Sequence, residues 1–151
     1  MTLELTPRDI EITIQLMIAA FLGGLIGVER EYHGKEAGFR TYALVTLGSA
    51  MFMVLSIEMY SFFGKITTVD PGRIAAQVVT GIGFLGAGAI IRYPTEIKGL
   101  TTAAGIWTAA GIGLACGMGH YVSAIITTAL ALFILLIYAK INRKIFRGKD
   151  N

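Results

Sequence analysis

Five apolar runs divide the chain, at residues 10–28, 41–63, 74–91, 100–118 and 121–139, and polar residues collect in the short stretches between them. Each run is close to the roughly 20 residues that a helix needs to cross a bilayer. The first follows Thr6-Pro7-Arg8-Asp9, where Thr6 can cap, Pro7 takes the first helical position and Asp9 closes a capping box. Acidic residues ahead of this run, and no small-residue cleavage site after it, predict a retained helix and not a cleaved leader. Asp70-Pro71 predicts the cap and first turn of the third run. Pro7, Pro71 and Pro94 all fall at run ends. So do Tyr32, Tyr42, Tyr60, Tyr93, Tyr121 and Tyr138, where amphipathic rings meet headgroups. The pattern predicts an all-α fold, a polytopic bundle of five transmembrane spans over residues 1–140, with a basic tail at 141–151.

Composition supports a membrane class and removes others. The 151 residues are 54% apolar and 15% charged, with 19 glycines and a mean hydropathy of +0.67, against roughly 25% charge and 7% glycine in soluble domains. One cysteine excludes an intramolecular disulfide scaffold. Charge then orients the bundle. Arg30, Lys35, Arg40, Arg92, Lys98, Lys140, Arg143, Lys144, Arg147 and Lys149 fall on one side, and Arg8, Lys65 and Arg73 on the other. By the positive-inside rule the N-terminus lies outside and the C-terminus in the cytoplasm. The net charge of +3 comes largely from the tail, so the expected partner is the lipid bilayer, with no nucleic acid.

Glycine changes the picture again. The first run holds three, the second one, the third four, the fourth four and the fifth none. Helices in lipid associate through close backbone approach at small residues. Ala19, Gly23 and Gly27 recur every fourth residue, as do Thr101, Gly105, Ala109, Gly113 and Gly117, and both series predict packing ridges. With Gly81 and Gly88 of the third run, they mark the first, third and fourth helices as the packed centre and the fifth as the most lipid-exposed. A homo-oligomer, with a dimer favoured, is expected through the same ridges. Residues 81–86 match a dinucleotide-binding Gly pattern, yet no strand or βαβ context surrounds them, so that reading is set aside. Gly-Ile-Gly-Phe in the third run and Gly-Ile-Gly-Leu in the fourth are weakly alike, which leaves a broken-helix, inverted-repeat arrangement as the other reading.

Ionisable residues at depth are functional candidates by default. Arg73, Gln77 and Thr80 share one face of the third helix, and with Asp70 they predict a polar pocket or an interhelical network. Glu58 lies toward the outer end of the second. On the cytoplasmic side, Glu29 or Arg30 is expected to pair with Arg40 or Glu36 across the first loop, Thr41 to cap the second helix, and Thr101 or Thr102 to cap the fourth. These two loops form a candidate docking surface for a membrane protein partner. No nucleophile-base set is visible, His33 and His120 fall on opposite sides, and Cys116 lies apart, so neither an enzyme nor a cofactor is expected and no metal is assigned.

Four stretches carry a resemblance: residues 23–30 (GGLIGVER), 37–41 (AGFRT), 70–88 (DPGRIAAQVVTGIGFLGAG) and 98–104 (KGLTTAA), with Trp107. In order, they resemble the membrane domain of the MgtC/SapB family, here without the ACT-like C-terminal domain that many members carry. The resemblance implies a bacterial inner-membrane protein linked to magnesium limitation, membrane potential and, in pathogens, virulence. It further implies a regulatory role through partners such as the F-type ATP synthase, the alternative being a channel or secondary transporter for magnesium or another ion or small solute. The positions it carries over are Glu29, Arg30, Arg40, Thr41, Asp70, Arg73, Gln77, Thr101 and Thr102, with no assigned chemistry.

Overall fold

The computed structural model describes residues 5–63 and 70–146, the stretch 138–146 through its helical backbone alone. Among them are five helices, α1 (Pro7–Tyr32), α2 (Phe39–Phe63), α3 (Gly72–Gly88), α4 (Leu100–Gly117) and α5 (Tyr121–Phe146). One small antiparallel hairpin, β1 (Ile91–Arg92) with β2 (Ile97–Lys98), joins α3 to α4. The fold is otherwise all-helical. By length and composition α1, α2 and α4 can each cross a membrane. The helix α3, at 17 residues, is shorter, and Lys65 and residues 147–151 of the tail lie outside the described residues.

Local chemistry sets the helix ends. The Thr6 hydroxyl accepts from the Asp9 amide at 3.2 Å while the Asp9 carboxylate accepts from the Thr6 amide at 2.8 Å, the reciprocal box that starts α1. Asp70 Oδ1 accepts from the Gly72 amide at 2.8 Å just ahead of α3, but the expected Asp70 cap is corrected, since the N-cap is Pro71 with no side-chain cap. That helix stops at Gly88, short of residue 91, because Ile91 and Arg92 pair with Lys98 and Ile97 in the hairpin. The expected threonine cap of α4 is corrected: its N-cap is Gly99, at φ +87°, with no side-chain cap. A Cβ at Gly99 would run into the Ala89 carbonyl oxygen, so glycine is what lets the hairpin fold back onto the end of α3. Between α4 and α5 the His120 amide donates to the Ala115 carbonyl at 2.8 Å, closing a tight antiparallel turn through Gly119.

Packing centres on α2. The Gly23 and Gly27 face of α1 lies so close that an added Cβ would stand 2.6 Å from the Tyr42 carbonyl oxygen and 2.6 Å from Phe39 Cα, respectively. From the other side, Gly105 meets the Tyr42 hydroxyl, Gly113 the Thr46 carbonyl and Gly117 the Ala50 carbonyl. The expected centre of first, third and fourth helices therefore needs correction. The helix at the middle is α2, which carries only Gly48, and α3 is peripheral, with Ile82 and Gly86 its sole buried residues. Among the described residues, no atom of another element lies within 4 Å of a Cβ added at Gly81 or Gly88. Tyr42 is fully buried between helices, its hydroxyl donating to the Thr102 carbonyl at 3.3 Å.

Candidate functional site

At the end of the bundle that carries the first loop, consecutive residues of α1 form a buried ion pair. The side chains of Glu29 and Arg30 are 7% and 4% exposed. The Arg30 guanidinium donates from Nε to Glu29 Oε2 and from Nη2 to Oε1, the latter at 2.6 Å. His33 Nδ1 stands 3.0 Å from Glu29 Oε1 and 2.9 Å from the Glu29 carbonyl oxygen. The expected cross-loop pairing with Arg40 or Glu36 is thus not the one made. The cross-loop tie is Glu31, whose carboxylate accepts from the Phe39 amide at 2.9 Å and takes the capping position expected of Thr41. Thr101 is exposed and Thr102 buried in the first turn of α4. Nearby, the hairpin holds Lys98 Nζ 3.0 Å from Glu96 and 5.2 Å from the Tyr93 ring centroid. The hydrogen bond to Glu96 holds this ammonium above the usual lysine range.

The opposite end separates residues that the sequence grouped. Glu58 pairs with Arg8 of α1 at 2.8 Å, and Arg8 reaches Glu11 at 2.9 Å, which makes a clasp between the start of α1 and the end of α2. Asp70 is occupied by the Gly72 amide. Thr80 donates to the Ala76 carbonyl of its own helix at 3.0 Å. Among the described residues no hydrogen bond joins any two of the Glu58, Asp70, Arg73, Gln77 and Thr80 side chains. The tie that does fix α3 to α2 is Ser56, donating to the Pro71 carbonyl at 2.7 Å. Gln15 of α1 is 2% exposed, and its Oε1 has no hydrogen-bond partner among the described residues.

Arg73 and Gln77 instead line a groove of about 770 Å³ between α2 and α3. Gly48 and Gly81 both line it, and among the described residues a Cβ added at either would meet nothing within 4 Å, so two smooth helix faces stand apart. The floor is apolar, with Leu44, Phe52, Val78 and Ile82 among its residues. Arg40 and Thr41 belong to it as well, and no carboxylate does. Among the described residues no cluster of three or more His, Cys, Asp or Glu is placed to hold a metal.

The sequence pattern of the MgtC family matches residues 16–144, a stretch that includes the buried pair, the groove and the hairpin. The chain belongs to the MgtC family. It is 43% identical over 132 residues to YhiD of Escherichia coli (strain K12), a candidate magnesium transporter by description, covering 85% of this chain and 60% of that one. Identity to Protein MgtC of Salmonella typhimurium (strain LT2) is also 43%, over 120 residues, 79% of this chain and 48% of that one. A Haemophilus influenzae protein is 36% identical over 151 residues, 97% of this chain and 63% of its own length. The MgtC-family chain thus spans between about half and two thirds of these relatives, from 48% to 63%. No solved structure matches it.

Proposed function

We propose that this MgtC-family protein is a non-enzymatic regulator of the bacterial inner membrane, linked to magnesium limitation and acting through a membrane protein partner such as the F-type ATP synthase. In this reading all five helices span the bilayer, with the N-terminus outside and the C-terminus in the cytoplasm, so that the first loop and the hairpin face the cytoplasm together. The groove carries the choice of regulator over magnesium carrier. Magnesium takes oxygen ligands in octahedral array and is held through carboxylates, whereas the groove offers two guanidiniums and no carboxylate. A divalent cation would meet repulsion at both arginines.

The exposed Ile91, Tyr93 and Ile97 of the hairpin supply a contact surface beside Arg92 and Lys98. Photo-crosslinkers at Tyr93 and Tyr32 should trap a heterologous membrane protein in magnesium-starved cells; loss of every such adduct would refute the proposal. The alternative, a channel or carrier for another ion or small solute, keeps one observation in its favour, the shared exposure of Arg73 and Gln77 to one groove. Purified protein in liposomes should carry no magnesium, sodium, potassium or proton current, and a current abolished by Gln77→Leu would establish the alternative. The homodimer belongs to the same reading, through the uncovered Gly88 end of α3, which does not line the groove. Disulfide trapping of Gly88→Cys between copies tests it, against a monomer at all crosslinker concentrations.

A further inference from the structure

The groove is asymmetric in depth. Pro71 hydrogen-bonds to Ser56, seven residues before α2 ends at Phe63, so α3 begins about 10 Å short of that end at 1.5 Å per residue. Arg73 is therefore set back along the wall of α2, while Arg40 sits in the first turn of its helix. Arg73 has no ion-pair partner among the described residues; the acid that precedes it, Asp70, has its carboxylate on the Gly72 amide at 2.8 Å. A guanidinium below the surface of a bilayer is expensive unless an anion accompanies it. Gln77, one turn on, adds an amide donor on the same groove wall. The groove as a whole runs over residues 52–40 of α2 and 73–85 of α3, about 18 Å, and beyond Gln77 its α3 wall is apolar over residues 78–85, about 10 Å.

We propose that this groove binds an anionic phospholipid, its phosphate on Arg73 and Gln77 and one acyl chain laid along the apolar floor toward Arg40. Charge complementarity and shape select this occupant over a cation or a polar solute. A volume of about 770 Å³ lies within the roughly 300–1,000 Å³ of small-ligand sites. The open Gly48 and Gly81 faces supply the width that a chain needs, and side chains there would fill it. The inference goes beyond the regulatory reading and holds whether or not a protein partner exists.

The test uses the full chain in bilayer nanodiscs holding equal phosphatidylglycerol and phosphatidylethanolamine with identical acyl chains, followed by native mass spectrometry. Phosphatidylglycerol should be retained preferentially. Arg73→Gln should reduce that retention roughly fivefold, the usual weight of one basic residue against an anionic lipid, while Arg40→Gln changes it far less. Gly81→Phe should remove both lipids. A second measurement needs no variant: phosphatidylglycerol with a photoreactive acyl chain should label residues 40–52 and 73–85 above the exposed face of α5. Equal retention of the two lipids, no effect of Arg73→Gln, or labelling as strong on α5 as in the groove overturns the proposal. So does a second copy of the chain crosslinked into the groove in place of lipid.

Discussion

The two flanks of α2 use the same residue type to opposite ends. Toward α1 and α4, glycines are pressed onto α2 carbonyl oxygens and side chains, and the bundle closes. Toward α3, Gly48 and Gly81 face open space and a groove remains. Spacing alone does not separate the two cases, since close approach in lipid needs a small residue and a neighbour shaped to receive it. Thr46, Ser49 and Ala50 of α2 receive the α4 ridge. On the α3 flank α2 presents Leu44 and Phe52 to the open groove, where they are 65% and 54% exposed.

Four substitutions sharpen this contrast. The largest effect should come from Glu29→Ala on the closed flank, which leaves Arg30 buried without its counter-charge and should cost roughly 3–5 kcal/mol. Unfolding in mixed micelles would measure it, and a loss under about 1 kcal/mol would mean that water or lipid reaches the pair. Next is Gly113→Ala, whose methyl group lands on the Thr46 carbonyl oxygen and should cost about 1–3 kcal/mol by overpacking. The matched change in the open flank, Gly81→Ala, meets no atom and should be neutral or stabilising by up to about 1 kcal/mol through helix propensity. Comparable losses for the two alanines would erase the distinction between the flanks. The smallest effect should follow Glu58→Gln: its pair with Arg8 is about one-third exposed on each side, so the melting change should correspond to less than about 1 kcal/mol and shrink with added salt.

Much of the helix layout was legible in the residues, because hydropathy reports burial from water whatever the neighbour is. The Thr6–Asp9 box could be read directly, since it is local. What could not be read was which helix occupies the middle. Counting glycines finds the helices that make room, and α2, which fills that room, has a single one. The hairpin escaped because each strand is two residues long and Ile91 continues an apolar run. Arg73 and Gln77 share a groove wall at helical spacing while Thr80 bonds back to its own helix, and what ties α3 to α2 is Ser56, which spacing along α3 does not reveal. The Glu29–Arg30 pair was missed because neighbours in sequence usually diverge around a helix, whereas two long side chains here fold back onto each other in a buried site.

The fastening of α3 has a mechanical consequence. It is held at Pro71 by one hydrogen bond and at Val78, Ile82 and Gly86 by packing, and from Gly72 to Gln77 none of its residues is buried. A rod pinned in this way bows where it is unsupported, so altered lateral pressure or bilayer thickness should deflect the stretch around Gln77 before any part of α1 or α4. Spin labels at residues 48 and 77 in bilayers of different acyl length would register that bending as a changing distance, while a pair spanning α2 and α4 stays fixed.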